Sequence, residues 1–256
     1  MNLNNQVSII TGSASGIGAA CARAFAAQGA KVVAVDINAD GARQVAEEIG
    51  GLAIPCDISS EAAVNDLVAE TERQLGPVDV FFSNAAVATG GGPLDTPIDV
   101  WNEQWQINVM AHVFAVRAVL PAMLERGSGY LILTASMAGI LTSHGNLTYA
   151  TTKHAVVGLA EWLAITYHDK GVRTSLLAPL GVRTPMLGDA AAAGPAVGPV
   201  KEPEEVAKYV VDAVAEERFL ILTDPIAQTW MERKTNDLER WLGGMRRLQA
   251  KMDGAT

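Results

Sequence analysis

Three side chains in the second half of the chain have the types and spacing needed for proton transfer. Tyr149 and Lys153 lie four residues apart in a segment of helical periodicity, so both project from one helix face. A nearby ammonium lowers the pKa of a phenol, which lets Tyr149 exchange a proton with an alcohol or a carbonyl oxygen. Ser136 lies upstream, after a predicted strand, where its hydroxyl can bond the same oxygen. A Tyr–Lys pair also arises by chance on helix surfaces, so this interpretation needs a second site.

A glycine-rich turn near the start of the chain predicts that second site. The segment Thr11-Gly12-Ser13-Ala14-Ser15-Gly16-Ile17-Gly18 directly follows the apolar run 7–10 and opens a predicted helix. Glycines let a pyrophosphate approach the backbone, and the helix N-terminus supplies free N–H groups. The spacing differs from the common GxGxxG pattern, and taken alone it also fits a tight turn.

Asp36 ends the second predicted strand and indicates which dinucleotide would bind. A carboxylate at this position accepts hydrogen bonds from the adenosine ribose and repels a 2′-phosphate. The next two residues, Ile37 and Asn38, are uncharged. The sequence therefore favours NAD over NADP as cofactor.

Other polar residues follow predicted strands and are weaker candidates for cofactor contact. Asp57 and Ile58 would lie near the adenine, and Asn84 with Ala85 where the backbone passes the cofactor. Asp57 and Asn84 are equally typical of turns. Asn108, in a predicted helix, either holds a water near Lys153 or is satisfied locally.

Strands and helices alternate along the chain and would bring these residues together. Strands are predicted at 7–11, 31–36, 52–55, 78–83, 130–134, 172–177 and 219–222, and helices at 16–28, 39–49, 61–75, 97–125 and 148–169. This order predicts right-handed βαβ units. The expected fold is α/β, a Rossmann-like doubly wound parallel sheet of about seven strands, in one domain spanning 1–256.

Two later segments stand apart from that pattern. Residues 186–202 include a stretch of small, Gly- and Pro-rich sequence, for which we predict a flexible substrate loop rather than a passive linker. Residues 225–252 carry an apolar stripe among charges and are predicted to form one C-terminal helix. That helix is expected to pack on its own domain or on a neighbouring subunit.

Composition narrows the possible partners and location. The net charge of −9 argues against nucleic acid as a binding partner, because its phosphates require a basic surface. No secretory signal is recognisable, and no apolar run is expected to span a membrane. Cys21 and Cys56 are predicted to be buried free thiols. We therefore expect a cytoplasmic protein with no metal site.

In their order and spacing, these motifs resemble the classical short-chain dehydrogenase/reductase family over nearly the whole chain. The resemblance implies a catalytic tetrad of Asn108, Ser136, Tyr149 and Lys153, in which the lysine also holds the nicotinamide ribose. It implies further cofactor contacts from Pro179, Val182 and Thr184. It also implies a homodimer or homotetramer packed through the two long helices.

Two segments depart from the family pattern. After the fourth strand the chain has Ser83-Asn84-Ala85-Ala86, a small change. After the sixth strand Leu180 replaces a glycine beside the nicotinamide, which is expected to alter the local backbone or to narrow the substrate site.

The residues placed nearest the reactive centre are mostly apolar and include no arginine pair to clamp an anion. They are Ala138, His144, Leu180, Gly181, Met186 and Leu187. This favours a small, neutral, hydrophobic secondary alcohol or ketone. An NADPH-dependent 3-oxoacyl-carrier reductase is the alternative that Asp36 opposes. A non-catalytic NAD-binding regulatory protein is the alternative that the tetrad opposes.

Overall fold

Parallel strands form one sheet in the order β3-β2-β1-β4-β5-β6-β7 in the computed structural model, which describes residues 1–188 and 198–254. The strands are β1 Val7–Thr11, β2 Lys31–Asp36, β3 Leu52–Pro55, β4 Val80–Ser83, β5 Gly129–Thr134, β6 Val172–Ala178 and β7 Leu220–Leu222. The chain reverses its direction of growth between β1 and β4. The carboxyl ends of these two strands therefore border the crevice in which such sheets bind ligands. The predicted fold class is confirmed.

Helices cover both faces of this sheet. They are α1 Gly16–Ala27, α2 Ala39–Ile49, α3 Glu61–Leu75, α4 Ile98–Trp105, α5 Ala111–Arg126, α6 Ala138–Leu141, α7 Leu147–Tyr167, α8 Pro203–Glu216, α9 Pro225–Asn236 and α10 Leu238–Met252. A π-helical segment, Gln106–Met110, joins α4 to α5.

Alternating strand residues belong to two separate hydrophobic cores, because successive side chains point to opposite faces of a sheet. Ile9 and Phe81 pack with α3, α5 and α7, whereas Ile10 and Phe82 pack with α1 and α8. Both faces of the sheet are buried, which explains the continuous apolar runs of the strands.

Three features of the chain differ from the sequence-based prediction. The helix predicted over 97–125 is interrupted by the π-helical segment. The helix predicted over 225–252 is two helices, because Asp237 has an extended backbone and its carboxylate accepts from the Arg240 N–H to begin α10. The prediction also missed α6 and α8.

The segment Ile98–Arg126 is long and apolar enough to cross a membrane by length and composition alone. This finding differs from the expectation that no such run exists. Half of its most apolar stretch is buried, with Val119 and Met123 packed in the core beside α3 and the sheet. Such burial is typical of a core helix, so the segment is weak evidence for a membrane span. Cys21 and Cys56 are buried and unpaired.

Candidate active site

Two hollows meet above the carboxyl edge of the sheet. The first, which we call the loop cleft, has a volume of about 290 Å³ and runs from the glycine-rich loop to Tyr149 and Lys153. The second, the apolar cavity, has a volume of about 440 Å³ and lies between Tyr149 and the C-terminal helices. Most residues predicted to hold the cofactor line the loop cleft: Gly12, Ser15, Gly16, Ile17, Asp36, Ile37, Asp57, Ile58, Asn84, Ala85, Tyr149, Lys153, Pro179 and Thr184.

Glycine is required at two positions of the loop between β1 and α1. Gly12 and Gly16 have φ values of 72° and 54°, which side chains rarely adopt. A Cβ at Gly12 would lie 3.0 Å from the Ala85 Cα, and one at Gly16 would lie 2.8 Å from the Thr184 Cγ2. The Ser15 side chain makes no cap hydrogen bond, so the first N–H groups of α1 are free to bind an anion.

Gly18, which was also predicted to contact the cofactor, is not among the residues that line the loop cleft. It lies inside α1, and a Cβ there would come 2.1 Å from the Gly12 carbonyl oxygen and 2.9 Å from the Asn84 Nδ2. The residue therefore lets the helix pack tightly against the turn. Its influence on a ligand would act through the position of the loop.

The far end of the loop cleft holds Asp36. One of its oxygens accepts from the Ala14 N–H at 3.0 Å, and the other accepts from the Asn38 N–H at 2.9 Å. Asp57 also lines the cleft, but its Oδ1 accepts from the backbone and the hydroxyl of Ser59, as the turn interpretation predicts. The carboxylate of Asp36 is thus held at the edge of β2 beside the glycine-rich loop.

The middle of the loop cleft is braced by hydrogen bonds between strand ends. The Thr11 hydroxyl accepts from the backbone N–H groups of Asn84 and Ala85 at 2.9 and 3.1 Å. The Asn84 amide donates to the Thr11 carbonyl and accepts from the Thr134 hydroxyl. These bonds fix the carboxyl ends of β1, β4 and β5 relative to one another.

Tyr149 lines both the loop cleft and the apolar cavity. The ammonium of Lys153, one turn further along α7, lies 5.6 Å from the centre of its ring. Lys153 is buried and donates to the Thr134 carbonyl oxygen at 2.7 Å. The pair predicted from sequence therefore stands where the two hollows join.

Burial controls the protonation of both groups. It lowers the pKa of Lys153 to about 7. It also raises the pKa of Tyr149, and a hydrogen bond with Ser136 opposes that rise. The sequence-based expectation that Lys153 lowers the Tyr149 pKa is not met in this structure. The phenol is protonated at neutral pH, which is the form that donates to a carbonyl oxygen.

Ser136 follows β5 and lines the apolar cavity. Its hydroxyl accepts from the Ala138 N–H at 3.1 Å, at the start of α6. This backbone contact orients the hydroxyl beside Tyr149, on the side of the hollow that would hold a reacting oxygen.

Asn108 lines neither hollow and is buried in the π-helical segment. Its side chain accepts from the Val87 N–H and donates to the Val87 carbonyl, at 2.9 and 2.8 Å. It also donates to the Thr152 hydroxyl at 3.1 Å. These bonds agree with the interpretation that the Asn108 side chain is satisfied locally. Asn108 holds the backbone of Val87 against α7.

His112 was missed by sequence analysis. It lies four residues after Asn108, is buried, and neither ring nitrogen has a hydrogen-bond partner among the described residues. Burial, with a smaller effect of the Lys153 charge, lowers its pKa to about 3. The ring is therefore neutral, and its spacing from Asn108 is the signal that places it on the same helix face.

The apolar cavity contains most of the residues predicted to contact substrate: Ala138, Leu180, Gly181, Met186 and Leu187. His144 is the exception. Its Nε2 lies 3.2 Å from the Asp253 Oδ1, so it contacts the end of the chain instead. Val182, predicted to contact the cofactor, lines this cavity rather than the loop cleft.

The C-terminal helices supply a wall that sequence analysis did not assign to the site. The residues from this wall are Trp230, Arg233, Trp241, Met245 and Leu248. Apart from Arg233, they belong to the apolar stripe noted in the sequence, which was expected to pack on its own domain or a neighbour. Of the predicted substrate loop 186–202, residues 189–197 lie outside the described residues.

Known proteins are similar to this chain in sequence and in fold. The family model described as short chain dehydrogenase matches residues 6–194. The chain is 35% identical over 251 residues to 1-deoxy-11-beta-hydroxypentalenate dehydrogenase of Streptomyces avermitilis, covering 94% of this chain and 93% of that one. It is 38% identical over 190 residues to 2,5-dichloro-2,5-cyclohexadiene-1,4-diol dehydrogenase of Sphingobium indicum, covering 73% and 76% of the two chains.

A solved structure agrees with the fold over almost the full length. It is a short chain dehydrogenase/reductase from Burkholderia phymatum in complex with NAD, with a TM-score of 0.86 and 29% identity, covering 93% of this chain and 96% of that one. The glycine-rich loop, the Tyr149–Lys153 pair and these matches agree with one another, and the chain belongs to the short-chain dehydrogenase/reductase family of oxidoreductases.

Proposed function

We propose that this protein is an NAD-dependent dehydrogenase that interconverts a secondary alcohol and a ketone. The observation that carries the proposal is the position of Tyr149, which lines both the loop cleft and the apolar cavity. A group at this junction can exchange a proton with a substrate while a cofactor in the neighbouring cleft exchanges a hydride.

The loop cleft fits a dinucleotide. Gly12 and Gly16 keep the turn free of side chains, and the first N–H groups of α1 face an anion-binding position. Asp36 supports NAD, because its carboxylate would accept from ribose hydroxyls and repel a 2′-phosphate. The Burkholderia phymatum relative is described as a complex with NAD.

The side chains around the junction have separate tasks. When bound, NAD supplies or accepts the hydride. Tyr149 donates its proton to a ketone oxygen, or accepts one from an alcohol, and Ser136 bonds the same oxygen. Lys153, held by the Thr134 carbonyl, has a pKa of about 7 and can restore the phenol proton near neutral pH. Asn108 positions the backbone of Val87, a residue that lines the loop cleft, beside α7.

The cavity supports a bulky apolar substrate. Its walls are mainly aliphatic and aromatic, and Leu180 and Trp230 both contribute to them. The two curated relatives are named for a hydroxypentalenate and a chlorinated cyclohexadiene diol. We infer an alcohol or ketone on a cyclic carbon skeleton.

Assembly and location complete the proposal. Trp162 and Ile165 on α7 are 56% and 84% exposed, which supports pairing of two copies through this helix in a homodimer or homotetramer. Size-exclusion chromatography with light scattering tests this, and a monomer would contradict it. The unpaired, buried cysteines support a reducing, cytoplasmic location.

The activity test compares NADH with NADPH in the reduction of 2-decalone and 2-adamantanone. We expect oxidation of NADH with a kcat/KM at least tenfold above that with NADPH. A preference for NADPH would favour the reductase of carrier-bound 3-oxoacyl groups. Failure to bind either nucleotide would contradict the proposal as a whole.

A further inference from the structure

The apolar cavity contains one ionised side chain among the described residues that line it, Arg233 of α9. Trp230, one turn earlier, and Trp241 of α10 line the same cavity and pack in a small core with Met137. Lys234 donates to the Ile140 carbonyl and ties α9 to α6. Because these contacts fix the helix, the fold places Arg233 at the edge of the cavity, with its side chain exposed to solvent.

A cationic groove continues outward from that edge. It shares Arg233 and Trp241 with the cavity and is further lined by Arg240, Arg247 and Asp237. The Asp237 carboxylate caps α10 by accepting from the Arg240 N–H. The groove therefore has three guanidinium groups and one carboxylate, in a chain whose net charge is −9. This positive surface favours approach of an anion.

The arginines of these two helices differ from those in the rest of the protein. All eight arginines that precede residue 225 form an ion pair with a carboxylate: Arg23, Arg43, Arg73, Arg117, Arg126, Arg173, Arg183 and Arg218. The four that follow, Arg233, Arg240, Arg246 and Arg247, form none within 1–188 and 198–254. The planar guanidinium of Arg233 is thus available to bind a carboxylate in a bidentate manner.

We infer that the substrate carries a carboxylate, bound by Arg233 at the mouth of the cavity while its apolar skeleton extends inward to Tyr149. This inference rests on the proposed function and replaces the sequence-based expectation of a neutral substrate. That expectation followed from the absence of arginines near the motifs. The guanidinium in question comes from a helix 80 residues beyond Lys153 and reaches the site only through tertiary packing.

A binding experiment with matched ligands tests the inference without relying on turnover. The ligands are adamantane-1-carboxylate and 1-adamantanemethanol, which have the same rigid apolar cage and differ in charge. Binding to the protein with saturating NAD is followed by quenching of tryptophan fluorescence, since Trp230 and Trp241 line the cavity. We expect the carboxylate to bind at least tenfold more tightly, a preference of about 1.4 kcal/mol.

Three variants assign that preference to a side chain. Arg233→Gln should remove it and leave binding of the alcohol within twofold, whereas Arg233→Lys should keep part of it. Arg246→Gln is the matched control, because Arg246 lies on α10 but lines neither the cavity nor the groove. Equal binding of the two ligands to the unaltered protein would overturn the inference. A preference that survives Arg233→Gln, or that Arg246→Gln reduces equally, would also overturn it.

Competition with coenzyme A distinguishes two anions that the arginines could bind: a substrate carboxylate and the phosphates of a carrier thioester. If coenzyme A displaces the carboxylate, and Arg240→Gln with Arg247→Gln prevents this, the groove binds a carrier and the inference is wrong. Reduction of 2-adamantanone by NADH, measured in parallel, reports on the proposed function by itself. If the protein prefers the carboxylate but does not reduce 2-adamantanone, only the proposed function is rejected. If it reduces 2-adamantanone but shows no preference for the carboxylate, only this inference is rejected.

Discussion

Replacement of Gly18 by alanine tests whether the glycine-rich loop depends on close packing of α1. A Cβ at this position would lie 2.1 Å from the Gly12 carbonyl oxygen and 2.6 Å from its carbon. To restore contact distance, the helix or the turn must move by roughly 1 Å. Overpacking of this kind costs about 1–3 kcal/mol. The moved loop should also bind NADH at least tenfold more weakly, a loss of about 1.4 kcal/mol.

Gly243→Ala is the matched control. Gly243 also lies inside a helix, α10, and lines none of the hollows, and a Cβ there would meet only the flexible ends of Arg247 and Arg246, at 3.6 and 3.7 Å. Both variants gain about 1 kcal/mol of helix propensity, so the difference between them isolates the packing cost. Urea unfolding and NADH titration are measured on both, with chromatography to check assembly. Equal stability and equal NADH affinity of the two variants would show that the loop does not depend on close packing at Gly18.

Three further predictions concern charge. Asp36→Ala combined with Ile37→Arg should shift the ratio of NADH to NADPH affinity at least tenfold towards NADPH in a fluorescence titration. The reason is that the double variant removes the carboxylate that repels a 2′-phosphate and adds a cation that can bind it. An unchanged ratio would count against the role of Asp36. For ketone reduction, kcat/KM should fall as pH rises through about 7, where Lys153 loses its proton; a flat profile to pH 9 would contradict this. His112 has a folded pKa of about 3, below its ordinary 6.5, so the folded state binds fewer protons than the unfolded state and loses stability as pH falls below 6.5. Between pH 7 and 5, urea unfolding should show the wild type losing about 2 kcal/mol relative to His112→Leu, and parallel losses in the two proteins would exclude the effect.

The alternation of apolar strands and amphipathic helices was sufficient to predict a parallel sheet of about seven strands, although α6 and α8 were missed. Local signals did not mark the π-helical segment at Gln106–Met110, since its residues continue the helical pattern. The break at Asp237 was missed for a similar reason: the apolar stripe continues on both sides of it. Regular periodicity therefore predicts the presence of a helix better than its continuity.

The same distinction applies to the candidate site, where local patterns predicted some residues and tertiary packing determined the others. Tyr149 and Lys153 were predictable because four residues on one helix fix their spacing, and the glycine-rich loop because it is contiguous. The positions of His144 and Arg233 depend on where the C-terminal helices dock, which no local pattern specifies. The rise in the Tyr149 pKa also depends on tertiary burial, which a local sequence pattern does not reveal.

The role of Tyr149 is tested most directly by comparing the turnover of Tyr149→Phe with that of Tyr167→Phe. Both tyrosines lie on α7, but Tyr167 lines neither the loop cleft nor the apolar cavity and packs edge-on against Trp162. We predict that Tyr149→Phe binds NADH within twofold of the wild type and loses at least about 100-fold in kcat for ketone reduction, while Tyr167→Phe keeps both. Turnover by Tyr149→Phe at the wild-type rate would show that this phenol does not carry the proton.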